Sequence, residues 1–162
     1  MKSDKNTARA IARARLQDGH RAWVRINDTT TPQWERDLEA LTGLDTLAGV
    51  MLTKAGSAEQ VAATTARLSE RIPIVAMIEN AAGREDARTI AHSPATLRLA
   101  FGSSDFRQDT GAGDDPAALA YARSRMVSSA ASNGSMLRST ARHTPTPTGI
   151  SARVSRSERL PR

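Results

Sequence analysis

Three charged residues offer the chemistry in this sequence: Arg25, Glu79 and Asp105. Each stands in or just past a short apolar run. With Lys54 counted between them, successive spacings are 29, 25 and 26 residues, so these positions recur at one place in each of several similar units. A Glu and an Asp from neighbouring units are hard oxygen donors with room left for water and substrate, the usual arrangement for Mg²⁺. Arg25 adds a planar donor fork suited to a carboxylate or an enolate oxygen. Glu79 follows Ile-Val-Ala-Met-Ile with no turn residue between, so its carboxylate ends a buried strand and needs a charged partner. The same residues admit an architectural arrangement, in which Glu79 pairs with Arg25 and Asp105 caps the next helix. Spacing alone leaves both open.

The elements that must position these groups follow from four apolar runs: 22–26, 47–52, 72–78 and 97–101. They are nearly continuous rather than alternating, as expected of strands covered on both faces. Helical segments lie between them. Thr31-Pro32 places a cap before a proline at the first helical position and leads to Trp34, Leu38 and Leu41. Ser57-Ala-Glu-Gln60 has capping-box form, Asp115-Pro116 opens a later helix through Leu119, Met126 and Ala130, and Ser3 is placed to cap a first helix ending near Leu16. The expected class is α/β, with repeated (β/α) units around a parallel sheet. No glycine-rich dinucleotide loop or Walker loop follows the first strand, which weakens a nucleotide-binding version of an open sheet. A complete (β/α)₈ barrel takes about 250 residues, so the other option is part of a barrel.

Composition narrows the function. The chain has 162 residues, no cysteine, and 23 Lys and Arg against 17 Asp and Glu. Thiolate metal sites, disulfides and a cysteine nucleophile are excluded. Five aromatic residues are too few for a base-stacking platform. From Arg138 onward six arginines face one acid, which puts +5 of the formal +6 in the last 25 residues and leaves the body near neutral. That uneven charge argues against nucleic acid as the main partner of the body. The Pro/Ser/Arg-rich stretch 135–162 has no apolar period and is expected to be a disordered tail behind a folded unit at 1–134. There is no apolar run long enough to span a bilayer and no apolar signal core at the start, so a cytoplasmic, membrane-free protein is expected. Glu35, Asp37 and Glu39 read as the solvated face of a helix. His20 and His92 have no ligand-spaced neighbours and are assigned no chemistry.

At these residues the sequence resembles the citrate lyase β-subunit-like family of magnesium-dependent acyl-CoA lyases. The matching pieces are Val24-Arg-Ile-Asn27, Trp34-Glu-Arg-Asp-Leu38, Met51-Leu-Thr-Lys54, Ile78-Glu-Asn-Ala-Ala-Gly83, Phe101-Gly-Ser-Ser-Asp-Phe106 with Asp109-Thr-Gly111, and Ala122-Arg-Ser124; Lys5 and Ala8-Arg9 suit the helix before them. The resemblance implies a TIM barrel and retro-Claisen cleavage of a 3-hydroxyacyl-CoA thioester, citryl-CoA or malyl-CoA in type, to an acyl-CoA and a 2-oxo acid. It implies that Glu79 and Asp105 hold Mg²⁺, that Arg25 and Glu79 are catalytic and bind substrate, and that intact relatives form trimer-type homo-oligomers.

Against the family pattern, Thr53 stands where proline is frequent and Asn80 where a small hydroxyl residue is common. The chain corresponds to about strands three to six of eight, a partial TIM barrel truncated at both ends, and little or no lyase activity is expected of it as written. Where the family continues with a strand close to Ala-Ile-Asp-Gly-Pro, this chain has Met136-Leu-Arg-Ser-Thr-Ala-Arg-His143. With permitted codons, a one-register slip across that stretch gives Ala-Ala-Ile-Asp-Gly-Pro-Thr, so a frameshift just before Met136 is one origin for the basic tail. Two alternatives stand beside this: a separately encoded partner chain completing the barrel, and a non-catalytic protein binding nucleic acid through the tail.

Overall fold

The structure, a computed structural model, describes residues 4–113 and 116–131 and the backbone of 138 and 139. Helix α1 (Lys5–Gln17) leads into β1 (Ala22–Ile26), α2 (Pro32–Leu41), β2 (Leu47–Leu52), α3 (Ala58–Leu68), β3 (Ile74–Ile78), α4 (Ala81–Glu85), α5 (Ala87–His92), β4 (Thr96–Phe101) and α6 (Ser103–Thr110). A 3₁₀ turn (Pro116–Leu119), α7 (Ala120–Ala131) and a two-residue β5 (Arg138–Ser139) follow. The rhythm expected from the apolar runs is present: β1 and β2 match their runs, β3 starts two residues later and β4 one residue earlier.

All strands are parallel, and their spatial order is their chain order, β1-β2-β3-β4-β5. A doubly wound sheet reverses direction at a switch point, whereas a barrel adds each new strand beside the last. This sheet has no reversal and is not closed on itself. It is an arc of a (β/α) barrel. The expected tail boundary at 135 lies outside the described residues, except that Arg138 and Ser139 pair with Ala100 and Phe101.

Coverage of the strands differs from expectation. Val24, Ile26, Val50, Leu52, Ile74, Ala76, Ile78, Leu99 and Phe101 join the core with Leu16, Trp34, Leu38, Val61, Ile90, Leu119 and Met126 from the helices. The alternate row, with Arg25 beside Met51, Met51 beside Val75 and Val75 beside Arg98, lies outside that core. One face carries the helices; the other is the inner face of the arc. The apolar runs therefore reflect an outer core and an inner barrel lining, not two helical layers.

Several local signals act slightly off their expected positions. Asp4, not Ser3, caps α1, its side chain accepting from the Asn6 amide; Ser3 itself lies outside the described residues. Thr31 and Pro32 open α2 as expected. Ser57 is the N-cap residue of α3, but Gln60 reaches back one residue further than a capping box would, accepting from the Gly56 amide at 2.7 Å. The later helix begins as the 3₁₀ turn at Pro116, with Asp115 outside the described residues.

Candidate active site at the C-terminal rim

In a parallel sheet the C-terminal ends of all strands share one side, and the loops there form the site. This side gathers Arg25, Lys54, Glu79 and Asp105. Arg25 lies on β1, Lys54 two residues past β2 and Glu79 one residue past β3. Asp105 was expected at a strand end; it lies instead in the first turn of α6, a helix that begins two residues after β4. Gly102 is the N-cap residue there, so Asp105 is not the cap of the architectural alternative.

Glu79 is the centre of the rim. Its side chain is 4 % exposed, and its Oε2 accepts the Lys54 amide N–H at 2.9 Å. Its Oε1 is 3.6 Å from Arg25 Nη2. The Asp105 carboxyl is a further neighbour, close enough to act on its proton affinity. Burial raises the Glu79 pKa to about 7; the Lys54 amide and the Arg25 charge oppose the rise, and Asp105 adds to it by repulsion and by a hydrogen bond to the protonated form. The ion pair and the carboxylate pair posed as alternatives by the spacing are both present, on the same residue.

The backbone around this carboxylate is tightly set. A Cβ on Gly102 would stand 2.5 Å from Glu79 Cγ and Oε1, so the β4–α6 turn passes directly over Glu79, and a side chain there would push the Glu79 carboxylate aside. On the other side, Thr53 bonds Ile26 O through both its amide, at 3.4 Å, and its hydroxyl, at 3.0 Å; the Ala55 amide bonds Met77 O at 3.0 Å. Between these two stitched residues Lys54 adopts φ 49°, the one described non-glycine residue in the left-handed region. A left-handed backbone costs a side-chain-bearing residue about 1–2 kcal/mol. It is held here by bonds to both neighbouring strands.

Beside the acid pair lies a cavity of about 250 Å³ lined by Lys54, Glu79, Asn80, Asp105, Gln108 and Asp109. Asn80 caps α4 through the Gly83 amide at 2.8 Å, and Asp109 accepts the Ala81 amide at 2.9 Å. These two side chains fix the cavity wall. Asp109 belongs to a piece that carries the family resemblance but was assigned no role in the sequence, and Gln108 carried no signal; both reach the rim through α6.

The family model described as HpcH/HpaI aldolase/citrate lyase matches residues 3–157. The chain belongs to that family. Among curated members, it is 35 % identical over 117 residues to a citrate lyase subunit beta-like protein of Deinococcus radiodurans, covering 69 % of this chain and 40 % of that one. It is 37 % identical over 103 residues to a protein of the same description from Mycobacterium tuberculosis, covering 64 % and 36 %. The chain thus spans about two fifths of the length of these relatives. Among solved structures, RipC from Yersinia pestis matches with TM-score 0.76 and 28 % identity over 86 % of this chain and 64 % of that one. The citrate lyase β subunit of M. tuberculosis complexed with oxaloacetate and magnesium matches with TM-score 0.70 and 28 % identity, over 84 % and 63 %. That family fold is the one the open arc follows, and no described helix is long and apolar enough to cross a membrane.

One acid in this family member overturns its expectation. Asp37, expected on a solvated helix face, is 1 % exposed. Its Oδ1 accepts from Arg9 Nε at 2.9 Å, and its Oδ2 accepts from the Asn27 amide at 3.0 Å and from Asn27 Nδ2 at 2.6 Å. Lys5 Nζ donates to Asn27 Oδ1 at 2.8 Å, and Arg9 Nη2 to Gln33 Oε1 at 2.9 Å. This network ties α1 and α2 to the chain two residues beyond Arg25. Helical spacing held the signal: Asp37 is three residues from Trp34 and four from Leu41, on the face that turns inward.

Proposed function

We propose that this chain carries the metal- and oxo-acid-binding part of a Mg²⁺-dependent carbon–carbon lyase. Its substrates would be 3-hydroxyacyl-CoA thioesters of the citryl-CoA or malyl-CoA type, its products an acyl-CoA and a 2-oxo acid. The observation that carries this proposal is the meeting of the Glu79 and Asp105 carboxyls beside the Arg25 guanidinium, at a rim with an adjoining cavity.

Two acids in contact at a water-poor rim repel unless a proton or a cation stands between them. The donor set suits Mg²⁺: hard oxygens, two protein ligands, and space beside them for water and substrate oxygens. Glu79 and Asp105 would hold the ion. When bound, Mg²⁺ supplies Lewis-acid polarisation of a substrate oxygen. Relatives solved with magnesium and oxaloacetate, and with magnesium, acetoacetate and coenzyme A, support the assignment.

The other roles fall to this chain's residues. Breaking the bond leaves its electron pair on the thioester fragment as an enolate, and the Arg25 guanidinium provides fixed positive charge for a developing oxyanion. The Arg25 side chain is 38 % exposed, so its guanidinium remains within reach of a substrate beside Glu79. The Lys54 amide and the Gly102 turn hold Glu79 in the orientation that faces Asp105.

Equilibrium binding of Mn²⁺, read by electron paramagnetic resonance, tests the proposal. Glu79→Gln and Asp105→Asn should each weaken binding at least about tenfold, since each removes one of two charged ligands. Mn²⁺ affinity unchanged in both variants would overturn it. A coupled assay with citryl-CoA and malyl-CoA then measures what cleavage remains.

A further inference from the structure

A glycine at position 54 would deliver the same amide to Glu79 without strain, because glycine enters the left-handed region freely. The chain places a lysine there, at φ 49°. Strain held in place by bonds to both neighbouring strands points to a need for the side chain. That side chain is exposed and lines the cavity beside the acid pair. Of the six residues lining it, three are acids, two are amides, and Lys54 alone is a cation. Asn80 and Asp109 are engaged with α4, so Lys54 brings the positive charge to the cavity lining itself, while Arg25 stands on the other side, against Glu79.

This inference rests on the lyase proposal. A 2-oxo acid chelates a divalent cation through its own carboxylate and its keto oxygen, which leaves the far end of the molecule pointing away from the metal. A second carboxylate on the same molecule would then need another cation. We propose that Lys54 is that cation: a specificity residue that selects 2-oxo acids bearing a second carboxylate over those ending in a methyl group.

The test compares oxaloacetate with 2-oxobutanoate, which has a methyl group where oxaloacetate has its second carboxylate. Affinities are measured by calorimetry on the full chain, with Mn²⁺ and separately with EDTA, for the parent, Lys54→Gly and Lys54→Met. Circular dichroism confirms that each variant is folded, and Lys54→Gly is the variant that keeps the backbone geometry. The parent should prefer oxaloacetate by at least about tenfold, as one charge-assisted contact implies. Both variants should bring the ratio to within about threefold of unity, and Lys54→Arg should restore part of it. An equal preference in parent and variants, or no preference in the parent under either condition, overturns the proposal. Mn²⁺ binding with no preference would sink the role of Lys54 and leave the metal site standing. A Lys54-dependent preference without Mn²⁺ binding would do the reverse.

Discussion

Two acids are buried at the same end of this sheet, and they are treated in opposite ways. Asp37, 1 % exposed, has both oxygens filled: a guanidinium on one, and a backbone amide and a side-chain amide on the other. Glu79, 4 % exposed, has one short N–H bond, a guanidinium at 3.6 Å, and a second carboxyl as a further neighbour. Burying a charge is tolerable when its lone pairs are satisfied, and a partly satisfied group is the more costly arrangement. Asp37 is a finished joint between α1, α2 and the end of β1. Glu79 is an unfinished one, with a second carboxyl beside it where Asp37 has N–H donors. Burial by itself does not separate a structural acid from a functional one; the balance of its partners does.

Removing each acid should therefore have unequal consequences. Asp37→Ala leaves Arg9, whose side chain is 11 % exposed, without its counter-charge, and leaves two Asn27 donors unpaired. A loss of about 3–5 kcal/mol is expected in urea denaturation, the usual scale for breaking a buried pair from one side. Metal-free Glu79→Gln at pH 7 should lose less than about 1 kcal/mol, because the amide still accepts from Lys54 and no longer repels Asp105. Equal losses in the two variants would erase the distinction.

The pH dependence separates them next. Glu79 is raised to about 7 from an ordinary carboxylate value of 4.5. Between those values the folded chain holds a proton that the unfolded chain has released. Stability must then fall as pH rises through the window from about 4.5 to about 7, and level off above it. For a group shifted this far the drop is on the order of 3 kcal/mol. Metal-free denaturation midpoints across this range should show the fall in the parent and a flatter profile in Glu79→Gln. Saturating Mg²⁺ should reduce the fall by taking the place of the proton. A parent profile that rises through the window would contradict the burial argument.

Much of this is legible in the amino-acid sequence alone. Apolar runs gave the four main strands, because parallel strands bury continuous stretches, and even spacing brought Arg25, Glu79 and Asp105 to one rim. What the sequence hid depends on contacts between distant elements. Asp37 looks like its neighbours Glu35 and Glu39 until Arg9 arrives from α1, 28 residues away. Glu35, by contrast, remains an exposed partner of Arg67. Asp105 resembled a strand-end residue, since nothing in Gly-Ser-Ser-Asp announces that α6 begins within two residues of β4. The positive φ of Lys54 was hidden too, because the residue types that usually mark such a conformation are glycine and asparagine.

The smallest effect concerns the turn that holds the unfinished acid. Two glycines here forbid a side chain for different reasons. At Gly83 a Cβ would run into the carbonyl oxygen of Ala55, so backbone must move; at Gly102 it would meet the Glu79 side chain, which can swing away. Gly83→Ala should accordingly cost about 1–3 kcal/mol, the range for overpacking against rigid neighbours. Gly102→Ala should cost less than about 1 kcal/mol and still weaken Mn²⁺ binding severalfold, because Glu79 escapes the clash by turning away from Asp105. The pair of measurements isolates geometry from stability. If Gly102→Ala loses as much stability as Gly83→Ala while keeping its Mn²⁺ affinity, Glu79 is rigidly fixed, and the position of its carboxylate does not depend on the turn above it.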